Sequence, residues 1–187
     1  RIDKIIADGG RIDRLGFQNR YKFGVPDPAT AYARLEEFSE KYEREMVGTE
    51  FEIVDSPTNS YSPYDFTEDE RATITEEILT TYYSHPLTTG LFNWTFMHGS
   101  DEKALTYYDG TVKLNGLVWY YLHRIRYTTD EQIVSNNEGN CMLRAFKGEY
   151  DLIADYEGKT YEMSLVHEGD SIVQFKLDDV STGIRKA

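Results

Sequence analysis

One ten-residue stretch constrains this chain more than any other: Met46-Val47-Gly48-Thr49-Glu50-Phe51-Glu52-Ile53-Val54-Asp55. Its β-branched, aromatic and aliphatic residues mark a buried strand. It lies between two segments with helical spacing. Residues 29–43 place Ala31, Leu35, Phe38 and Tyr42 on one helical face among many charges. Thr67-Glu68-Asp69-Glu70 opens the second helix with a capping-box pattern. An apolar strand flanked by amphipathic helices belongs to a covered, parallel α/β sheet. Glu50 interrupts the run. A buried carboxylate is costly unless it is paired, hydrogen-bonded or placed at a strand end, and strand ends are where barrel enzymes hold their chemistry. Equally, Glu50 reads as the solvent-facing residue of a half-exposed strand.

The rest of the first two-thirds keeps this rhythm. Residues 1–8 read as the end of a helix, stopped by Gly9-Gly10. Residues 12–18 read as a strand, and Pro26-Asp27-Pro28 as a loop whose Asp27 caps the next helix. A polar loop spans 55–66, and the helix after it ends near His85-Pro86. Residues 89–97 form the third expected strand, and 115–127 the last helix. Around residue 128 the pattern changes to short alternating strands at 141–147, 149–156, 159–166 and 171–177, separated by glycine-bearing turns. We therefore expect two domains: residues 1–127, a parallel α/β segment, and 128–187, a small antiparallel β-sandwich-like module. Three parallel strands leave two open edges, which calls for strands from elsewhere if the parent is a closed barrel. The chain opens on Arg1 within a helical pattern, so a piece of a longer protein is expected.

Charge narrows the function classes. At −13, the chain repels nucleic-acid phosphates, and no apolar run reaches the length of a membrane span. Its single cysteine, Cys141, excludes an intrachain disulfide and a cysteine-rich zinc site. Fifteen tyrosines suit surfaces that bind polar ligands with flat apolar faces.

Four motifs in order carry a resemblance: Leu15-Gly16-Phe17-Gln18 before a proline-bearing loop, Thr49-Glu50-Phe51-Glu52, Gly90-Leu91-Phe92-Asn93-Trp94, and Lys113-Leu114-Asn115-Gly116. Together they resemble glycoside hydrolase family 10, the β-1,4-xylanases, over about residues 1–127. The resemblance implies strands six to eight of a (β/α)8 TIM barrel, with Glu50 as catalytic nucleophile and Trp94 as the floor of a sugar site. It also implies a polysaccharide substrate of xylan type, no cofactor, and an extracellular or periplasmic location. The acid/base carboxylate of that family lies on the fourth strand, so the partner of this chain is the missing N-terminal half, in the same protein or in a second chain. The sequence departs from the family at Arg20, where histidine is usual, at Glu52, usually aspartate, at Leu114, usually proline, and in the loop Met97-His98-Gly99-Ser100. These departures leave a second reading open, a relative that binds polysaccharide without cleaving it.

Retaining glycosidases use two carboxylates roughly 5–5.5 Å apart, one of them an ionised nucleophile that a nearby cation favours. Arg20 is the candidate cation for Glu50, or else a structural ion pair. Gln18 is a candidate substrate or nucleophile contact, or a buried amide serving the backbone. Trp94 offers a platform for a pyranose face, or fills the core. Tyr21, Tyr61 and Tyr64 are candidate subsite walls, or loop packing. His98 with Asp101 or Glu102 is a weak metal pattern, and Asn93-Trp94-Thr95 matches a glycosylation pattern inside an expected strand.

Overall fold

The computed structural model of the chain describes residues 1–21, 24–54, 64–98 and 103–174. It divides into two compact units, Arg1–Arg126 and Tyr127–Ala187.

The first unit is a mixed α/β fold around an open parallel sheet. Helix α1 (Ile2–Ala7) ends where Gly9 takes a positive φ of 82° and the Gly10 amide returns to the Ile5 carbonyl. Strand β1 (Arg14–Phe17) and the short β2 (Arg20–Tyr21) run along one edge of the central β3 (Glu45–Ile53), and β4 (Thr88–Asn93) along the other. Helix α2 (Pro28–Tyr42) joins β2 to β3, α3 (Glu68–Ser84) joins β3 to β4, and α4 (Leu114–Tyr121) follows β4 and continues as a π-helical turn over Leu122–Arg126. All pairings in this sheet are parallel. The described strands close no barrel.

Local chemistry explains the helix starts. Asp27 accepts the Thr30 amide at 3.0 Å with Pro28 at the first helical position, and Thr67 and Glu70 form a reciprocal capping box. Helices α2 and α3 cover the sheet: Ala31, Leu35, Ile78 and Tyr82 pack on Leu15, Met46, Phe51 and Ile53, with Trp119 of α4 against the same core.

The expected third strand over 89–97 is shorter. After Asn93 the Trp94 amide makes a last bond to the Phe51 carbonyl, and Phe96 and His98 then turn to bond the 105–106 segment.

The second unit holds a hairpin, β5 (Gly148–Tyr156) and β6 (Lys159–His167), in antiparallel register. Glu157 and Gly158 both have positive φ, 50° and 75°, which suits the twist of a two-residue turn. Tyr150, Leu152 and Ala154 lie opposite Leu165, Met163 and Tyr161. The expected four-strand module is corrected here. Residues 141–147 form no strand, because no described residue pairs with them along a ladder, and Met142 is exposed. Residues 171–174 form none either, and 175–177 lie outside the described residues.

Candidate active site

The site is built by an irregularity in β3. Phe17 pairs with Gly48 but Arg20 with Glu52, so β3 carries one residue more than its neighbour across this interval. The β4 pairing shifts over the same interval, between Gly48 and Phe51. This is a β-bulge, and it changes which residues face the helices. Met46 and Gly48 are buried before it, Phe51 and Ile53 after it. Met46 and Phe51 share one core although they stand an odd number of positions apart. In a regular strand Glu50 and Glu52 would follow Met46 and Gly48 under the helices. With the bulge, both turn to the other face at the C-terminal end of the sheet.

There they meet two cations. The Arg20 guanidinium donates from Nε to Oε1 of Glu52, and its Nη1 lies 3.5 Å from Oε2 of Glu50. Lys103, on the segment after β4, places Nζ 2.8 Å from Oε2 of Glu52. Glu52 has a side-chain exposure of 0%, against 23% for Glu50. Each oxygen of the buried carboxylate thus faces a cation, the condition under which a buried charge is tolerated. Arg20 also lies over the Trp94 ring, 5.7 Å from its centroid, and Trp94 is 44% exposed. The four charges sum to zero. A partly exposed carboxylate, a guanidinium and a partly exposed indole share one strand end.

Sequence reasoning placed Glu50, Arg20 and Trp94, and the fold brings all three together. Gln18 sits between β1 and β2, exposed, with no side-chain hydrogen bond among the described residues. Tyr21 is not brought to the carboxylates. Its ring packs edge-on against Phe51 at 6.1 Å and its hydroxyl lies 3.5 Å from that of Tyr82, on the core side. Tyr82 also accepts from Asn19, and burial pushes its phenol well above the usual tyrosine range. Tyr64 stacks on Phe66 at 5.0 Å. His98 lies beside Tyr108, while Tyr61, Asp101 and Glu102 fall outside the described residues. Among the described residues, no group of three His, Cys, Asp or Glu side chains forms a metal site. Two site residues escaped the sequence reading, Glu52 and Lys103. Glu52 had a signal, since it stands two residues from Glu50 and shares its face; Lys103 had none.

No family model matches the sequence, and no curated protein matches it. Solved structures share the fold. A mutant GH128 (subgroup I) endo-β-1,3-glucanase from Amycolatopsis mediterranei, in complex with laminaritriose and laminaribiose, gives a TM-score of 0.52 at 16% identity over 63% of this chain and 48% of that one. Another mutant of that enzyme, with laminaripentaose, gives 0.52 at 15% identity over the same shares. The enzyme in complex with laminaritriose gives 0.50 at 17% identity. This chain spans about half the length of these structures. At such identities the likeness is one of fold: the neighbours are glycoside hydrolases of TIM-barrel type, and this chain has the α/β architecture of part of one.

Proposed function

We propose that this chain supplies the nucleophile half of a retaining glycoside hydrolase acting on a β-linked polysaccharide. Glu50 attacks the anomeric carbon, and the general acid/base carboxylate comes from strands outside this chain. In this reading β1 with β2, β3 and β4 are the sixth to eighth strands of a (β/α)8 barrel. The observation that carries it is the bulge-directed placement of Glu50: a partly exposed carboxylate at the C-terminal strand end, paired to Arg20, which in turn lies over the ring of the partly exposed Trp94. Trp94 floors the sugar site, and Gln18 reaches substrate from the neighbouring strand end. The motif order favours xylan. The β-1,3-glucanase named among the structural neighbours makes laminarin the second substrate to assay. A polysaccharide of this size is met outside the cell or in the periplasm, where we place the protein.

The test is covalent capture. An activated fluorosugar of xylobiose or laminaribiose, incubated with the full-length protein, should leave one glycosyl group on the peptide containing Glu50, and Glu50→Ala should abolish both the label and hydrolysis. Hydrolysis at the unaltered rate by Glu50→Ala overturns the assignment. Tight binding of either polysaccharide without turnover, by affinity electrophoresis, would instead favour the non-cleaving reading, which the unusual Arg20 motivates.

The isolated chain should be inactive, since loss of the acid/base group removes orders of magnitude in rate. Size-exclusion chromatography with an activity assay checks this, and a monomer of 21.7 kDa that hydrolyses xylan would refute it.

A further inference from the structure

The Arg20–Glu52–Lys103 cluster bears on which step of the proposed reaction is slow. Resting on that assignment of Glu50, we infer that Arg20, held in place by Glu52 and Lys103, acts as the group that drives Glu50 off the sugar, so that the glycosyl-enzyme does not accumulate.

Charge sets the direction of the effect. With Glu50 free, two carboxylates face two cations. When a Glu50 oxygen attacks the anomeric carbon, the glycosidic C–O bond breaks and the leaving oxygen takes a proton from the carboxylic acid of the complementary strands. Glu50 is then a neutral ester, and the cluster carries one unbalanced positive charge. In the second step water attacks the anomeric carbon and gives its proton to the complementary carboxylate. The bond from carbon to Glu50 breaks, and its electron pair returns to the Glu50 carboxylate, which Arg20 again neutralises. A guanidinium 3.5 Å away therefore favours the free carboxylate over the ester. It slows attack and speeds departure.

For this the guanidinium must stay in place when its bond to Glu50 is lost. Its other contacts do that: Nε is committed to a fully buried carboxylate, which Lys103 holds from the other side, and the guanidinium lies over Trp94. Glu52 and Lys103 are positioning residues for Arg20; Glu50 alone bonds to the sugar.

Burst kinetics on the full-length protein test this. The substrate is a dinitrophenyl β-glycoside of whichever disaccharide the protein hydrolyses. The unaltered protein should release dinitrophenolate without a burst. Arg20→Met should show a burst approaching one equivalent per active site. Its kcat should fall about ten-fold, the scale of one charge-assisted contact, and KM should fall further, so that kcat/KM, which reports the attack step, rises. Glu52→Gln should behave the same way, and Arg20→Lys, which keeps the charge, should restore burst-free turnover. A purely structural role would lower the number of active sites without creating a burst. Should Glu52→Gln fail to fold, Arg20→Met decides alone. A folded Arg20→Met protein that is labelled at Glu50 yet shows no burst overturns the inference and leaves the nucleophile assignment standing. Absence of any Glu50 label in the unaltered protein overturns both.

Discussion

Replacing Arg20 by methionine should cost more stability than its half-exposed position suggests, because of what it leaves behind. Glu52 has no exposed side-chain surface, and its two oxygens are divided between Arg20 and Lys103. Removing one partner of a buried pair costs about 3–5 kcal/mol, since a charge is left uncompensated in a poorly solvated site. Two features reduce that here. Lys103 remains 2.8 Å from Glu52, and Arg20 is itself 27% exposed, so water reaches part of the vacated space. We expect a loss of about 2–3 kcal/mol, a fall of roughly 8–12 °C in Tm for a unit of this size. Removing both charges reverses the logic. Arg20→Met/Glu52→Met exchanges a buried ion pair for two apolar side chains of similar length, a change that is often neutral or stabilising, and Lys103 turns to solvent. The double variant should lie within about 1 kcal/mol of the unaltered protein. Urea titration followed by tryptophan fluorescence and far-UV circular dichroism gives the coupling energy of the cycle. Additive effects, or a single-variant loss under about 0.5 kcal/mol, would refute the view that Glu52 depends on Arg20.

Packing and capping give three further expected outcomes. Tyr82→Phe removes the hydroxyl that Asn19 donates to and leaves a buried amide without that partner, so chemical denaturation should show a loss of about 1–3 kcal/mol. Gly48→Ala places a Cβ against the Leu91 side chain and the Asn19 amide oxygen, so overpacking should cost about 1–3 kcal/mol in the same assay. The Thr30 amide holds the Asp27 carboxyl below its usual range, and the Thr67 amide does the same for Glu70. The unfolded chain therefore binds these protons first on acidification. The stability these groups contribute is full above the ordinary carboxylate values and is lost as the pH falls below them. Asp27→Asn/Glu70→Gln should flatten the fall of Tm between about pH 5 and pH 3; an unchanged slope would count against both caps.

Much of the first unit could be read from residue order because its signals are local. Asp27 and the Thr67–Glu70 pair start helices by bonding their own backbone, which needs no neighbour. The strand character of 46–54 was legible for the same reason. What escaped depends on pairing. The bulge exists only in the register between β3 and its neighbours, and its one trace in the sequence is the glycine inside the strand, Gly48. Tyr21 looked like a loop aromatic at the sugar face. It turns inward because β2 pairs with β3 through Arg20 and Tyr21, and the alternation that sends Arg20 to the carboxylates sends Tyr21 to Phe51. Lys103 reaches Glu52 across fifty-one positions, a contact no local pattern encodes. In the tail, Glu157-Gly158 identified the hairpin turn, while the alternation over 141–147 forms no ladder among the described residues.

The extra residue in β3 also changes how this segment tolerates length variation. Surface loops absorb insertions and deletions because nothing downstream depends on their count. A paired strand usually cannot, but between Gly48 and Phe51 β3 holds one residue that its neighbours do not match. Deleting Thr49 would remove the bulge and keep the faces: with Gly48 still opposite Phe17, Glu52 would fall opposite Arg20 in a regular ladder, and Phe51 and Ile53 would stay toward the helices. A deletion scan should therefore find a tolerated point inside β3 at Thr49, where the ladder already carries a residue that its neighbours do not match. For the same reason, comparison of this strand with that of any distant relative should align faces rather than letters, since a single misplaced gap compares the core of one protein with the opposite face of the sheet in the other.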